Sequence, residues 1–496
     1  MKQYLAERRV HFFGSHSINN PGFPKNAGIP TRQPSDAFLT LGTLEFNPAS
    51  GNQAEEYIQV LNTNRVALDI SGWKVTGGIT HTFHAGTVMP SNSVLYVSPD
   101  VNAFRARTAG PRGGQALFVQ GNYQGQLSAR GGSLQLVDRG GRVVSSNSYA
   151  GAPSLAQQFL RITELMYHPP PVAVGGPYTA EDFEYVELKN IGSAVLDLSG
   201  VHFTNGIAFH FSGSSVTSLP GSQTVLVVRN RAAFVSRYGA GFNVAGEYLG
   251  NLDNSGERLR LDDAVGEEIL DFRYENSWYR ATDGLGFSLV IVQEQAPWES
   301  WGEKASWRPS GQETGSPGDA DPAPVSVAAV RINEVLSHTE SSGEKDAIEL
   351  YNPTLSPVNL EGWFLSDDFG QPKKYRIPAG VVIGALGYLV LDESQFNTRP
   401  GVAPSFSLSA LGDEAYLFSG DAKTNLTGYL HGYEFGAAEN GVTFGPYVTS
   451  VGQEEFVAQR EATLGRANAG ATAMTRPTGE RLCRARAGPI LEEWPR

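Results

Sequence analysis

Between Glu56 and Val75 the chain reads "EYIQVLNTNRVALDISGWKV". The first residues alternate: Tyr57, Gln59 and Leu61 fall on one side of an extended backbone, Ile58 and Val60 on the other. Successive side chains of a strand point to opposite faces, so this pattern predicts a strand with one buried face and one wet face. "EYVELKNIGSAVLDLSGVHF" from Glu184 and "DAIELYNPTLSPVNLEGWFL" from Asp346 repeat the theme. In the second stretch Tyr185, Glu187 and Lys189 alternate with Val186 and Leu188.

The three stretches share one spacing. Asp69, Asp197 and Asn359 come seven residues after Asn62, Asn190 and Asn352, and Gly72, Gly200 and Gly362 come ten residues after them. Trp73, Val201 and Trp363 follow at once. Identical spacing in three places indicates internal duplication. Each copy has an apolar run upstream, "LGTLEFNP" at 41–48, "LRITELMYHP" at 160–169 and "VRINEVLSHT" at 330–339. Each also has a strand-like run after the motif, and then a glycine turn leading into "GGSLQLVD" (131–138), "GERLRLDD" (256–263) or "GDEAYLFS" (412–419). Short strands between turn signals, without helical periodicity, predict an all-β sandwich or barrel. Within the motif, the asparagine and the following Asp or Asn are expected to bond turn backbone, and the glycine to take a conformation closed to residues with a Cβ. The tryptophan is expected to fill space between two sheets. Val201 in its place argues that shape is being filled there and that no reaction depends on the ring.

Length adds that 496 residues are too many for one ordinary domain and suggest three or four. Gly 57 and Pro 29 sit between the short apolar runs, which favours turns and strands over long helices. A net charge of −13 disfavours phosphate backbones and anionic membrane surfaces, so no nucleic-acid partner is expected. The single cysteine, Cys483, permits neither an internal disulfide nor a cysteine-based zinc site. No run approaches the roughly 18 apolar residues of a membrane span. The opening "MKQYLAERRVHFFGSHS" does not read as a signal peptide.

The N-x6-[DN]-[LI]-[SE]-G-[WV] core after its alternating strand resembles the lamin tail domain. The resemblance implies three tandem immunoglobulin-like β-sandwiches at 36–150, 155–322 and 325–470. The second copy departs from the pattern by lacking the tryptophan and by carrying "PPPVAVGGPYTAEDF" before its strand. The link of nuclear lamin tails to DNA and chromatin does not suit the acidic charge. The Gly/Pro-rich closures "SWRPSGQETGSPGDADP" (306–322) and "LGRANAG" look like those of lamin tail repeats in exported bacterial proteins, where such repeats often follow a CotH-type kinase domain. Residues 1–35 are expected to form a helix and linker, with "YLAERRVHFF" (4–13) resembling the last helix of such a kinase domain. Residues 471–496, shifted towards arginine, are expected to be a disordered tail.

Candidate chemistry is sparse. Asn47, His168 and His338 share a repeat position and read as strand-end residues bonding turn backbone. "HTFH" (81–84) is unsuited to grip one ion, since i and i+3 on a strand face opposite sides. The acidic pairs Asp262–Asp263, Glu267–Glu268 and Asp367–Asp368 lack a calcium-loop pattern and read as solvated turn acids. Four tryptophans cluster at 278–307. Of these, Trp298, Trp301 and Trp307 would stack on sugar rings if exposed, or pack back on the second sandwich if not. No catalytic trio, metal site or cofactor site is expected.

The sequence therefore predicts a non-enzymatic scaffold, bacterial, at the cell envelope or outside, engaging a protein or cell-surface polymer. Two other readings stand beside it. In one, the chain positions a CotH-type kinase domain; in the other, it is a carbohydrate-binding module protein.

Overall fold

The alternating runs form strands, and the strands of each repeat pair into two facing sheets. The computed structural model describes residues 37–173, 175–339 and 345–471, with scattered positions between 7 and 22. The helix and linker expected over 1–35 fall almost wholly outside these residues, and so does the tail after Ala471. The chain is all-β, a tandem of immunoglobulin-like β-sandwiches.

The first sandwich contains β1 (Thr40–Glu45), β2 (Tyr57–Asn62), β3 (Lys74–Gly77), β4 (Ile79–Thr82), β5 (Ser93–Val97), β6 (Phe118–Gln120), β7 (Gly132–Val137) and β8 (Val143–Tyr149). One sheet has the order β1-β2-β5-β6, the other β8-β7-β3-β4 with Gln124–Gly125 at its end. Ile58, Val60, Leu95 and Val97 face Val75, Leu134 and Leu136 across the core, and Trp73 lies among them.

The second sandwich is larger. Its strands are β9 (Leu160–Met166), β10 (Tyr185–Asn190), β11 (His202–Asn205), β12 (Thr224–Val228), β13 (Val244–Glu247), β14 (Arg258–Asp262), β15 (Glu268–Arg273), β16 (Leu289–Ile291) and β17 (Trp307–Pro309). The main sheet runs β13-β12-β10-β9-β16-β17. In the third sandwich β18 (Arg331–Leu336), β19 (Ala347–Tyr351), β20 (Phe364–Ser366), β21 (Tyr388–Asp392), β22 (Gly412–Gly420), β23 (Leu426–Gly436), β24 (Thr443–Val448) and β25 (Glu454–Ala458) give a main sheet β21-β19-β18-β24-β25.

The asparagine of each motif is a buried hub. Asn62 donates to the carbonyls of Val66, Met89 and Pro90 at 3.1, 3.0 and 2.8 Å, while its Oδ1 accepts from Asn64 N. Asn190 donates to Ala194 and Leu219, and Asn352 to Ser356 and Gly384. One side chain thus ties the turn after the strand to the turn entering the next strand of the same sheet. Asp69, Asp197 and Asn359 each accept the amide two residues on, from Ser71, Ser199 and Glu361. Gly72 and Gly362 lie at φ +74° and +85°, where a Cβ is costly. Gly200 offers its carbonyl to His202 Nδ1. Trp73, Val201 and Trp363 are all buried.

Short helices cover one end of each main sheet: α1 (Val101–Ala106), α2 (Arg231–Tyr238) and α3 (Glu393–Phe396). Asp100, Asn230 and Asp392 cap them through side-chain oxygens.

The chain divides into two compact units, Met1–Phe159 with Asp262–Ile269, and Leu160–Leu261 with Leu270–Arg496. Within the second unit, two sandwiches pack directly on each other. Ala281, Leu285 and Phe287 bury against Phe364, Tyr416, Phe418 and Leu430. Arg280 lies 4.4 Å from the Phe369 ring centroid, and Lys373 meets Glu313 at 2.8 Å.

Two expectations are corrected. The wet face predicted for the second motif strand is covered: Tyr185 packs edge-on against Phe234 and Tyr238 of α2, and Glu187 lies beneath the segment that closes the sandwich. The acids at 262–268 are not all solvated. Asp262, Asp263 and Glu267 are buried. Within the first unit, Glu267 accepts from Ala129 N at 3.1 Å and from the amides of Gln53 and Gln126.

A polar cleft over a pair of buried carboxylates

A bulge in β9 between Ile162 and Glu164 sets Glu164 directly opposite Glu187 of β10. The same bulge in β18, between Ile332 and Glu334, sets Glu334 opposite Glu349. Two neighbouring carboxyls on a covered sheet are costly unless bonded. The closing segments supply the bonds. Ser316 N and Oγ donate to Glu164 at 2.8 and 3.3 Å, and Gly318 N donates to Glu187 at 2.6 Å. In the third sandwich Thr463 N and Oγ1 donate to Glu334, each at 2.8 Å, and Gly465 N donates to Glu349. Ser-Pro-Gly and Thr-Leu-Gly therefore make one grip: amide and hydroxyl on the first acid, the glycine amide two residues later on the second.

The strands add further donors. Tyr185 and Ser288 hydroxyls reach Glu164 at 2.6 and 2.5 Å, and Thr163 reaches Glu187 at 2.7 Å. Thr443 plays the part of Ser288 at Glu334, at 2.5 Å. Burial pushes Glu187 up to about 7, and the adjacent Glu164 adds to the shift. Burial also raises Glu164 and Glu349. The first sandwich has Thr43 and Gln59 at these positions, and Gln59 Oε1 accepts from Thr43 N at 3.3 Å.

Above Glu187 a cleft of about 720 Å³ opens on the outer face of the second sandwich. Thr163, Glu187, Ser222–Thr224, Val290–Gln295, Ser316 and Gly318–Asp321 line it. Two ion pairs bracket it, Lys189–Glu294 at 2.6 Å and Arg308–Asp321 at 2.5 Å. No aromatic ring lines the cleft. It is equipped for hydrogen bonding to a polar partner.

The tryptophans lie elsewhere, and for Trp301 and Trp307 the packed alternative holds and the stacking one does not. Trp301 and Trp307 are fully buried. Their indole N–H groups donate to the carbonyls of Ile162 and Trp301 at 2.9 and 2.7 Å. Trp307 also stacks on Phe272 at 5.6 Å. Neither ring offers a face to a sugar, and the half-buried Trp298 makes no row with them.

A further carboxylate was missed in the sequence although it opens the motif. Glu56 accepts from Tyr123 OH at 2.7 Å and Leu127 N at 3.1 Å. Glu184 accepts from Tyr248 OH at 2.7 Å and Leu252 N at 2.8 Å. Burial pushes both up to about 8. The signal was the same Glu-Tyr start in both copies, with a tyrosine four residues before a leucine far downstream.

Other candidates have local partners. His168 Nδ1 lies 2.6 Å from Asp283, and His338 Nδ1 lies 2.8 Å from the Ala438 carbonyl. His81 Nε2 lies 3.2 Å from Gln120 Oε1, and its ring centroid is 6.1 Å from that of His84. Asp367 is held by Lys374 at 2.5 Å. Among the described residues no group of three or more His, Cys, Asp or Glu is set to hold a metal, and no helix is long and apolar enough to cross a membrane.

No curated protein matches the sequence. Among solved structures, an auxiliary nutrient binding protein from Bacteroides thetaiotaomicron aligns over 88% of this chain and 92% of its own at 9% identity, with a TM-score of 0.11, a likeness that carries no argument. The family comparison is specific: residues 40–151 and 324–434, in the first and third sandwiches, match the lamin tail domain.

Proposed function

We propose that this chain is a non-enzymatic scaffold whose sandwiches present rigid binding surfaces to a protein or polymer of the bacterial cell envelope or exterior. The observation that carries this reading is the repeated grip on buried carboxylates. Ser316 and Gly318 are bound to Glu164 and Glu187, and those acids already accept from Tyr185, Ser288 and Thr163. Carboxyls so engaged serve to fix a surface, and a general base would have to break that grip first. The exterior location rests on the likeness of the closing segments to those of exported bacterial lamin tail proteins. The kinase-positioning alternative rests on residues 4–13, mostly outside the described residues, and the sugar-stacking alternative loses its buried rings.

Co-sedimentation with bacterial envelope fractions tests the proposal. Wild-type chain is expected in the pellet, with loss of retention in a double variant of the cleft wall, Q223A/E294A. Equal recovery of both proteins in the supernatant would overturn the binding role of the cleft.

A further inference from the structure

The three sandwiches finish the edge of the main sheet differently. In the second, β16 lies against β9, pairing Val290 with Glu164 and Leu289 with Leu165. In the third, β24 lies against β18, pairing Phe444 with Val335 and Thr443 with Leu336. Each of these strands is backed by another, β17 or β25. Among the described residues the first sandwich has no such hairpin. Residues 150–159 alone separate β8 from β9, and among the described residues β1 ends its sheet.

Side chains of β8 take up the near part of that edge: Leu41 N donates to Ser145 Oγ, and Asn147 donates to the Gly42 carbonyl. Residues 43–46 lie beyond them, with the Phe46 ring against Tyr149 of β8 at 5.2 Å. Thr43 is exposed, and Leu44, Glu45 and Phe46 are half-buried. Leu44 sits opposite Ile58 as Leu165 sits opposite Val186 and Val335 opposite Ile348, so it occupies the position that the sister copies cover with Leu289 and Phe444. An open strand edge with a partly exposed apolar residue is a template for another strand.

We propose that Thr43–Phe46 of β1 is completed by an extended strand of a partner protein. It runs antiparallel, places a large apolar residue opposite Leu44 and a basic residue opposite Glu45. The sister sandwiches define the first feature. Charge defines the second: Glu45 meets Arg107 only at 3.9 Å, its side chain is 33% exposed, and opposite charges directly across a strand pair attract. The site is separate from the cleft, and the inference does not rest on it.

The probe is a synthetic peptide of residues 441–459 carrying T443K, which brings Phe444 to Leu44 and the lysine to Glu45. Hydrogen exchange is followed on the full chain. Those amides of 44–46 that point away from β2 are expected to exchange freely alone, to slow at least tenfold with the peptide, and to lose that slowing in Leu44→Lys. Amides of β2 and β5 in the same data report whether the variant is folded, and Thr43→Pro provides a second block on the exposed position. Three results would overturn the proposal: protection of the outward amides of 44–46 without peptide at all concentrations, protection of them that grows with chain concentration alone, or undiminished slowing in both folded variants. The first makes the chain its own cover, and the second makes the occupant a second copy.

Discussion

Glu164 and Glu187 face each other on adjacent strands, both buried, each held by one end of the same three-residue loop. The third sandwich repeats this with Glu334 and Glu349. The first replaces both acids and lacks the loop. Acid pair and closing loop therefore occur together or not at all in these three copies.

This pair makes stability depend on pH. Glu187 has an ordinary value of 4.5 and is pushed up to about 7 in the fold. A raised folded value favours the protonated native state. Its contribution is full below about 4.5 and is lost as pH rises through about 7. Glu56 and Glu184, pushed up to about 8, carry the same trend further. Chemical denaturation should show a loss on the order of 2 kcal/mol from this site between pH 5 and 8. Glu187→Gln should flatten the curve, since an amide bonds Thr163 and Gly318 without a charge. An unchanged slope would contradict this.

Thr463→Val tests the loop itself. It keeps the shape but removes the hydroxyl that reaches Glu334 at 2.8 Å. Leaving that buried oxygen short of a donor should cost about 1–3 kcal/mol. The midpoint of urea unfolding should fall, and closing-loop amides should exchange faster than those of β19.

Leu386 is expected to yield stability when replaced. It lies at φ +52° in the turn where Asn92 and Ser222 lie at +52° and +63° in the other copies. It is half exposed, and its amide still reaches the Thr354 carbonyl. A left-handed backbone costs a Cβ residue roughly 1–2 kcal/mol, less for asparagine. Leu386→Asn should raise the melting temperature, and a fall would refute the account.

Asn352→Ala should be among the most damaging single changes in the third sandwich. It removes donors to Ser356 and Gly384 and the acceptor for Thr354 N. A loss of at least about 2 kcal/mol is expected by calorimetry. Asn352→Asp should not rescue it, because a carboxylate has no hydrogen to give those carbonyls.

The fold was legible because its signals are local. Alternation at Tyr57–Leu61 reports a strand, and the asparagine hubs bond mostly within the turns they terminate. The helix caps at Asp100, Asn230 and Asp392 are equally local, but the helices they open are too short to show a period of their own. The carboxylate grips were not legible, since the partner of Glu164 lies 152 residues away at Ser316. Nor did alternation reveal that α2 and the closing segment would cover Tyr185 and Glu187. The tryptophan cluster left two readings, stacking or packing, because sequence does not say which way a ring turns. Trp301 turns inward to bond the Ile162 carbonyl, and Trp307 turns inward to bond the Trp301 carbonyl.

The distance between acids and caps has a consequence during synthesis. Gly318 emerges 131 residues after Glu187, and Thr463 emerges 129 residues after Glu334. A nascent chain halted before these loops holds two adjacent carboxyls without their backbone donors. Such a sandwich keeps its apolar core, yet the acids repel and draw water. The second and third modules are thus complete only once their last segments are made, so cutting the third module just before Thr463 costs it more than the loss of so short a loop suggests.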